Sequence, residues 1–289
     1  MWRSCCGMLN RNYEAFLGCD CPYEKADIVL FGAPFDSTTS FRPGARFGSK
    51  AMRGESFGLE SYSPYQDRDL SDIRVFDSGD LELCFGDAET ALADIEERAG
   101  IILADSKLPV MLGGEHLVTL GAVRATAKRH PGLHLLHFDA HADLRDEYLG
   151  ASLSHASVIR RCWDLLGDGR IFQFGIRSGD REELRWGERH ITTQKFNFAG
   201  LSETLAALRG KPVYLTVDLD VLDPAAFPGT GTPEAGGVSF PQLLDALCDV
   251  CAGADIVGCD LVELCPVYDQ SGTSTATACK LLRELLLAL

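Results

Sequence analysis

A chain of 289 residues is long enough for one large α/β domain with a substantial core, or for two small ones. With 46% hydrophobic and 24% charged residues, it has the make-up of a folded globular protein, not of a disordered or fibrous one. Its formal net charge of -15 works against nucleic acid and anionic lipid as partners, and no stretch approaches the roughly 20 unbroken apolar residues of a membrane span.

The N-terminal run Met1-Trp2-Arg3-Ser4-Cys5-Cys6-Gly7-Met8 has no apolar core of signal-peptide length, and a start at Met1 or at Met8 is equally readable. Residues 1–26 are expected to form an extension packed on the domain, and residues 27–289 a single domain. Apolar, β-branched runs then recur at intervals. They predict strands at Asp27–Phe31, Arg74–Phe76, Leu108–Leu112, Leu133–Phe138, Ile171–Phe174, His190–Thr192, Val213–Val217 and Asp255–Leu261. Helical periodicity fills the gaps. In 88–104, Ala88, Ala91, Leu92, Ile95, Ala99 and Ile102 mark one face, with Asp87 as the N-cap. Residues 239–251 turn Leu243, Leu244, Leu247 and Val250 inward, and 274–288 form a last helix rich in alanine and leucine. Strand–helix alternation over the whole length predicts an α/β fold with a mainly parallel sheet of about eight strands and helices on both faces. No low-complexity linker, charge run or internal repeat divides it.

The 11 cysteines are odd in number and scattered through apolar segments, a pattern of reduced, buried thiols in a cytoplasmic protein. Cys248-Asp249-Val250-Cys251 has C-x-x-C spacing. It lacks a second close pair or a nearby histidine, so a structural role at the end of an amphipathic helix is expected. Cys19 and Cys21, flanking Asp20, read the same way.

In a parallel sheet, ligands bind beyond the carboxyl ends of the strands. Four strand exits stand out: Gly113-Gly114-Glu115-His116, Asp139-Ala140-His141-Ala142-Asp143, Asp218-Leu219-Asp220-Val221-Leu222-Asp223-Pro224, and Val262-Glu263-Leu264-Cys265-Pro266. Singly, each is ambiguous: a turn with a core histidine, a loop of Asx-turns, a turn initiator, a salt-bridged glutamate. Jointly they are not. Parallel strands would bring His116, Asp139, His141, Asp143, Asp218 and Asp220 to one point, where four carboxylates without countercharge repel. Divalent cations resolve that repulsion, and six such ligands suit two metals roughly 3.5–4 Å apart. A carboxylate-rich set with two imidazoles and no thiolate favours Mn²⁺ over zinc, with Fe, Co or Ni also able to fill it.

These segments, with Gly229-Thr230-Gly231-Thr232-Pro233-Glu234-Ala235-Gly236-Gly237, resemble the signatures of the ureohydrolase family, the arginases and agmatinases. The likeness runs from about Asp27 to the C-terminus. Gly32-Ala33-Pro34-Phe35-Asp36, Arg42-Pro43-Gly44-Ala45-Arg46-Phe47-Gly48 and Tyr62-Ser63-Pro64-Tyr65 are similar to bacterial agmatinases in particular.

The resemblance implies a three-layer α/β/α fold and two Mn²⁺ per chain. By motif position, one ion is held by His116, Asp139, Asp143 and Asp218, and the other by Asp139, His141, Asp218 and Asp220, with Asp139 and Asp218 bridging. His155, in Leu153-Ser154-His155-Ala156, matches the family's proton-shuttling histidine, and Glu263 the glutamate that holds the guanidinium. A hydroxide bridging the two metals would attack the guanidinium carbon, and Asp143 would pass a proton to the leaving amine. Agmatine would give putrescine and urea, a step of polyamine synthesis. The partner is then a small guanidinium compound, with no nucleic acid and no membrane, and the enzyme a homo-oligomer, a trimer or hexamer.

The loop Leu144-Arg145-Asp146-Glu147-Tyr148-Leu149 bears on the choice of guanidine. It is acidic and lacks the asparagine, serine or threonine donors that arginase-like binding of an α-carboxylate needs. It suits a cationic tail, with Arg145 and Asp146 as candidate substrate contacts, although Arg145 could hold a carboxylate if it pointed inward. Guanidinobutyrase, arginase and formiminoglutamase activities remain alternatives on the same centre. A single-zinc deacetylase is disfavoured because one metal leaves surplus carboxylates, and a catalytically silent relative because every candidate residue is present. Glu115 is expected to orient a ligand, not to bind metal.

Overall fold

The computed structural model describes residues 14–289; the alternative starts at Met1 and Met8 lie outside the described residues. In chain order the elements are β1 (Ile28–Ala33), α1 (Gly48–Ser56), β2 (Tyr62–Ser63), β3 (Arg68–Asp69), β4 (Val75–Asp80), α2 (Ala88–Ala104) and β5 (Leu108–Gly113). Then come α3 (Thr119–Arg129), β6 (His134–Phe138), α4 (Val158–Leu166), β7 (Ile171–Ile176), α5 (Arg181–His190), β8 (Thr192–Lys195) and α6 (Leu201–Leu208). Last are β9 (Pro212–Asp218), α7 (Phe240–Gly253), β10 (Asp255–Val262) and α8 (Thr273–Ala288). Eight strands make one sheet in the order β4-β1-β5-β10-β9-β6-β7-β8. Every neighbouring pair in it is parallel.

Strands β1 and β6 are buried along their whole length, β5 and β9 after their first residue and β10 over its last five, as a sheet covered on both faces requires. Period-two alternation sorts their side chains. Leu30, Leu112, Leu136, Phe138, Leu215 and Val217 face one layer with Met52, Leu243, Leu247 and the leucines of α8. Val29, Phe31, Met111, Leu135 and Tyr214 face the other, against Leu92, Ile95, Val123 and Ile159. The molecule is a three-layer α/β/α sandwich. Residues 14–26 run beside β4, where Cys21 N donates to Val75 O and Asp77 N to Cys19 O, and Phe16 is buried in the core.

Where local signals are strong, the predicted elements coincide with the observed ones. Asp87 caps α2 by accepting from the backbone N–H groups of Glu89 and Thr90. Ser239 and Gln242 form a capping box at the start of α7. The strand predicted at His190–Thr192 is displaced to β8. His190 instead ends α5, stacked on Trp186 with centroids 4.3 Å apart and its Nδ1 2.7 Å from Asp168. The antiparallel ribbon of β2 and β3 was not predicted, because two-residue strands are too short to show a period. Cys248 and Cys251 lie on α7 as free thiols, and burial pushes Cys251 up to about 12.

Candidate metal centre

Sheet order assembles the site. His116, Glu263 and Asp139 follow β5, β10 and β6, and Asp218 is the last residue of β9; these are four consecutive strands in space that are scattered along the chain. Backbone seams lock these exits together: Gly114 N donates to Ala33 O, Glu115 N to Phe35 O, and Glu263 N to Gly114 O. Gly114 is obligatory here, since a Cβ on it would sit 1.9 Å from the carbonyl oxygen of Phe35. Asp143 and Glu263 both adopt left-handed backbone conformations, with φ of 54° and 65°. For side chains with a Cβ this costs free energy that the surrounding packing must hold in place, and such strain concentrates at functional sites.

His116 Nδ1 lies 3.0 Å from Asp139 Oδ2, 3.3 Å from Asp143 Oδ2 and 3.3 Å from Asp218 Oδ2. His141 Nδ1 lies 3.0 Å from Asp220 Oδ2 and 3.5 Å from Asp139 Oδ1. All six expected ligands therefore converge, joined through Asp139. The other imidazole nitrogen of His116 is committed. Thr216 donates its hydroxyl to Asp260 at 2.6 Å, so the same oxygen accepts from His116 Nε2–H at 2.9 Å. In the neutral ring Nδ1 then carries the lone pair, and this buried nitrogen has no hydrogen-bonded partner. An orphaned lone pair ringed by three carboxylate oxygens fits a divalent cation, as does the trio Asp139, His141 and Asp220, whose ligand atoms are mutually within 4.8 Å.

The charges are as tense as the geometry suggests. Burial, then Asp220 and Asp139, push the Asp218 carboxyl well above the usual range, and burial, with Asp139 adding to it, raises Asp220. Burial opposes ionisation of Asp139 too, but His137, His116 and His141 outweigh it and hold that carboxyl well below its ordinary value. The carboxylates likewise lift His116 and His141 well above theirs against the effect of burial. Cations would remove the need for these protons.

A cleft of about 350 Å³ opens beside the centre, lined in part by His141, Asp143, Arg145, Tyr148, His155, Asp180 and Glu183. His155 follows Ser154 in a capping box; its Nε2 is 3.1 Å from Ser40 Oγ and its backbone N–H donates to Thr38. Burial lowers its pKa. Glu263 is buried and accepts from His116 N at 2.8 Å through Oε1, and its Oε2 takes no hydrogen bond among the described residues. Burial, then Glu115, raise its pKa well above normal. Arg145 lies over the Tyr148 ring and pairs with Asp180 at 3.4 Å and Glu183 at 3.9 Å. Asp146 is not part of the cleft lining: drawn by Arg161 at 2.6 Å, it turns to solvent. Glu115 makes no hydrogen bond to a ligand side chain among the described residues; it accepts from Thr38 and Thr39 and so ties the loop after β1 in place.

Sequence reasoning missed His137, Gln173, Thr216, Asp260 and Arg177. Arg177 donates to the carbonyls of Asp220, Leu222 and Glu234 and shapes the loop after β9. A signal existed for His137 and Asp260: an ionisable residue inside a wholly apolar parallel strand needs a partner.

The profile of the arginase family matches residues 26–288. The chain belongs to the arginase family. Among its relatives in that family, the agmatinase of Bacillus subtilis is 46% identical over 95% of this chain and 96% of its own. The agmatinase of Bacillus anthracis is 47% identical over 92% of each. The agmatine ureohydrolase of Thermoplasma volcanium, a crystal structure, superposes with a TM-score of 0.88 at 36% identity, covering 96% of this chain and 94% of that one. The arginase-family assignment accounts for the sheet order and for the acidic centre at the strand exits.

Proposed function

We propose that this arginase-family enzyme hydrolyses agmatine to putrescine and urea at a centre of two Mn²⁺ ions. The observation that carries the reading is the convergence of His116, Asp139, His141, Asp143, Asp218 and Asp220, with the His116 Nδ1 lone pair left unpartnered among them. His116, Asp139, Asp143 and Asp218 would hold one ion, and Asp139, His141, Asp218 and Asp220 the other. Bound there, the pair supplies Lewis acidity, making water acidic near neutral pH and offsetting charge on the reacting centre.

The chain's own groups do the rest. Glu263 offers Oε2 to the planar guanidinium while His116 N–H fixes Oε1, so one carboxylate oxygen is aimed and the other is anchored. Asp143 stands at the boundary of ligands and cleft, where it can take a proton and return it to the leaving amine. His155, kept neutral by burial and bonded to Ser40 at the cleft, exchanges protons with solvent. At the far end, Asp180 and Glu183 pair with Arg145, so a substrate tail meets two carboxylates and one already paired guanidinium. That balance favours an ammonium over a carboxylate. Residues 27–289 are the catalytic unit in this reading, and 14–26 the described part of its packed extension. Nine free thiols among the described residues support a cytoplasmic setting. No helix of the described residues is long and apolar enough to cross a membrane. Assembly into trimers or hexamers rests on the resemblance alone.

The test is product release by Mn²⁺-loaded protein, urea from agmatine, arginine and 4-guanidinobutyrate and formamide from formiminoglutamate, with a chelated control. Chelator-sensitive urea from agmatine alone is expected. Turnover of a carboxylate-bearing compound instead would overturn the tail assignment and point to Arg145; turnover insensitive to chelation would overturn the metal centre.

A further inference from the structure

His137 lies on β6 two residues before Asp139, fully buried, and no role above uses it. Its Nε2 is 2.7 Å from Asp139 Oδ2, and with His116 and Asp139 it forms a group compact enough to hold an ion. The ring is therefore either a ligand or a donor to Asp139. Gln173, on β7, decides between them. Its Nε2 lies 2.7 Å from the Ala142 carbonyl oxygen and 2.9 Å from His137 Nδ1, and its Oε1 accepts the Thr193 hydroxyl at 3.1 Å. Turning the amide over would set Oε1 against the Ala142 carbonyl, acceptor against acceptor. The two amide hydrogens therefore go to Ala142 and to His137 Nδ1. Nδ1 accepts, so the neutral ring bears its hydrogen on Nε2, pointing at Asp139, and a nitrogen bearing hydrogen does not ligate a metal.

We infer that His137 is a positioning residue for the carboxylate that bridges the two ions, and that Gln173 sets which ring nitrogen carries the hydrogen. The inference rests on the two-ion reading above. Asp139 Oδ1 accepts the His141 backbone N–H at 2.6 Å and Oδ2 accepts His137 Nε2–H at 2.7 Å. Held from both sides, the carboxylate keeps one lone pair on each oxygen for an ion and cannot swing about its Cβ–Cγ bond. Hydrogen bonds of this kind govern metal affinity as strongly as some ligands do.

The experiment is calorimetric titration of the metal-free protein with Mn²⁺, alongside urea unfolding of the same samples. Wild type, His137→Phe, His137→Gln and Gln173→Glu are compared. Phenylalanine keeps the ring and removes the donor; glutamine restores a donor near the Nε2 position; glutamate at 173 touches no ion but reverses the hydrogen bond at Nδ1. Two ions still bind His137→Phe, with affinity lower by about 10–100-fold. His137→Gln recovers most of that loss, and Gln173→Glu weakens binding without contacting the centre. Should His137→Phe fail to fold, Gln173→Glu carries the test. Unchanged affinity in Gln173→Glu, or a whole ion lost from His137→Phe and not restored by glutamine, overturns the inference alone. A wild type that takes up fewer than two ions overturns the two-ion reading, and this inference with it.

Discussion

Replacing Thr216 by valine tests how the protein keeps a lone pair on His116. The shapes are close, so no cavity opens, and the change is confined to one hydroxyl. That hydroxyl accepts from His116 Nε2–H at 2.9 Å and donates to Asp260 Oδ1 at 2.6 Å, with all three residues buried. A buried donor and a buried acceptor left unpartnered cost about 1–3 kcal/mol each, so the unrelaxed loss is about 2–6 kcal/mol. Relaxation is available. Asp260 keeps the Tyr214 hydroxyl at 2.8 Å, and His116 can move its hydrogen to Nδ1, beside Asp139 Oδ2 at 3.0 Å. The metal-free protein should therefore lose only about 1–3 kcal/mol in urea unfolding. The same relaxation uses up the ligand lone pair, so Mn²⁺ affinity should fall by about 10–100-fold, or about 1.4–2.8 kcal/mol. Calorimetric titration of the metal-free variant reads this directly, and Thr216→Ser, which keeps a hydroxyl, should restore most of it. A folded Thr216→Val protein with wild-type Mn²⁺ affinity would refute the reasoning.

Asp218→Asn removes an oxygen assigned to both ions and should leave less than one metal per chain and no measurable turnover; elemental analysis showing two metals retained sinks the bridging role. Glu263→Gln should keep both metals and the His116 N–H bond but lose affinity and turnover for agmatine, by about 100-fold or more if a charge-assisted pair worth about 3 kcal/mol is broken. Near-normal kinetics would take Glu263 out of the site. Burial raises Glu183 to about 7, above the ordinary 4.5 of the unfolded chain, so the native state binds this proton more tightly. Its contribution is fully present below pH 4.5 and is lost as pH rises through 7, by at most about 3 kcal/mol. In chelated samples, wild type should thus lose stability relative to Glu183→Gln between pH 5 and 8, and a pH-independent difference in urea unfolding contradicts this. Gly114→Ala drives a Cβ into the Phe35 carbonyl and should cost about 3 kcal/mol, the upper end for overpacking; a neutral effect on the unfolding midpoint would mean the seam can open freely.

What was legible in the sequence follows a physical division. Strands of a doubly covered sheet announce themselves as apolar runs, and the acidic segments after them mark the exits where parallel strands deliver side chains. Asp139-Ala140-His141-Ala142-Asp143 could be placed at the centre because one short segment supplies three candidate ligands. Thr216 and Asp260 were not legible as a unit: they sit on β9 and β10, and only strand register sets them side by side. Gln173 looks like any polar residue in an edge-ward strand until β6 and β7 are paired. Asp146 illustrates the opposite limit. Composition marked its loop as acidic, yet which carboxylate turns inward depends on Arg161 of α4, fifteen residues away in the chain.

The position of β10 has a consequence for how the molecule comes into being. This strand lies between β5 and β9 in the middle of the sheet, yet it comes after the sheet's seven other described strands in the chain. During synthesis β5 and β9 must therefore wait with open edges until residues 255–262 have emerged. No shorter N-terminal fragment can close the sheet, and none brings Glu263 to the exits of its neighbours. A chain cut before Asp255 therefore leaves a hydrophobic slot between β5 and β9, fit for quality-control binding.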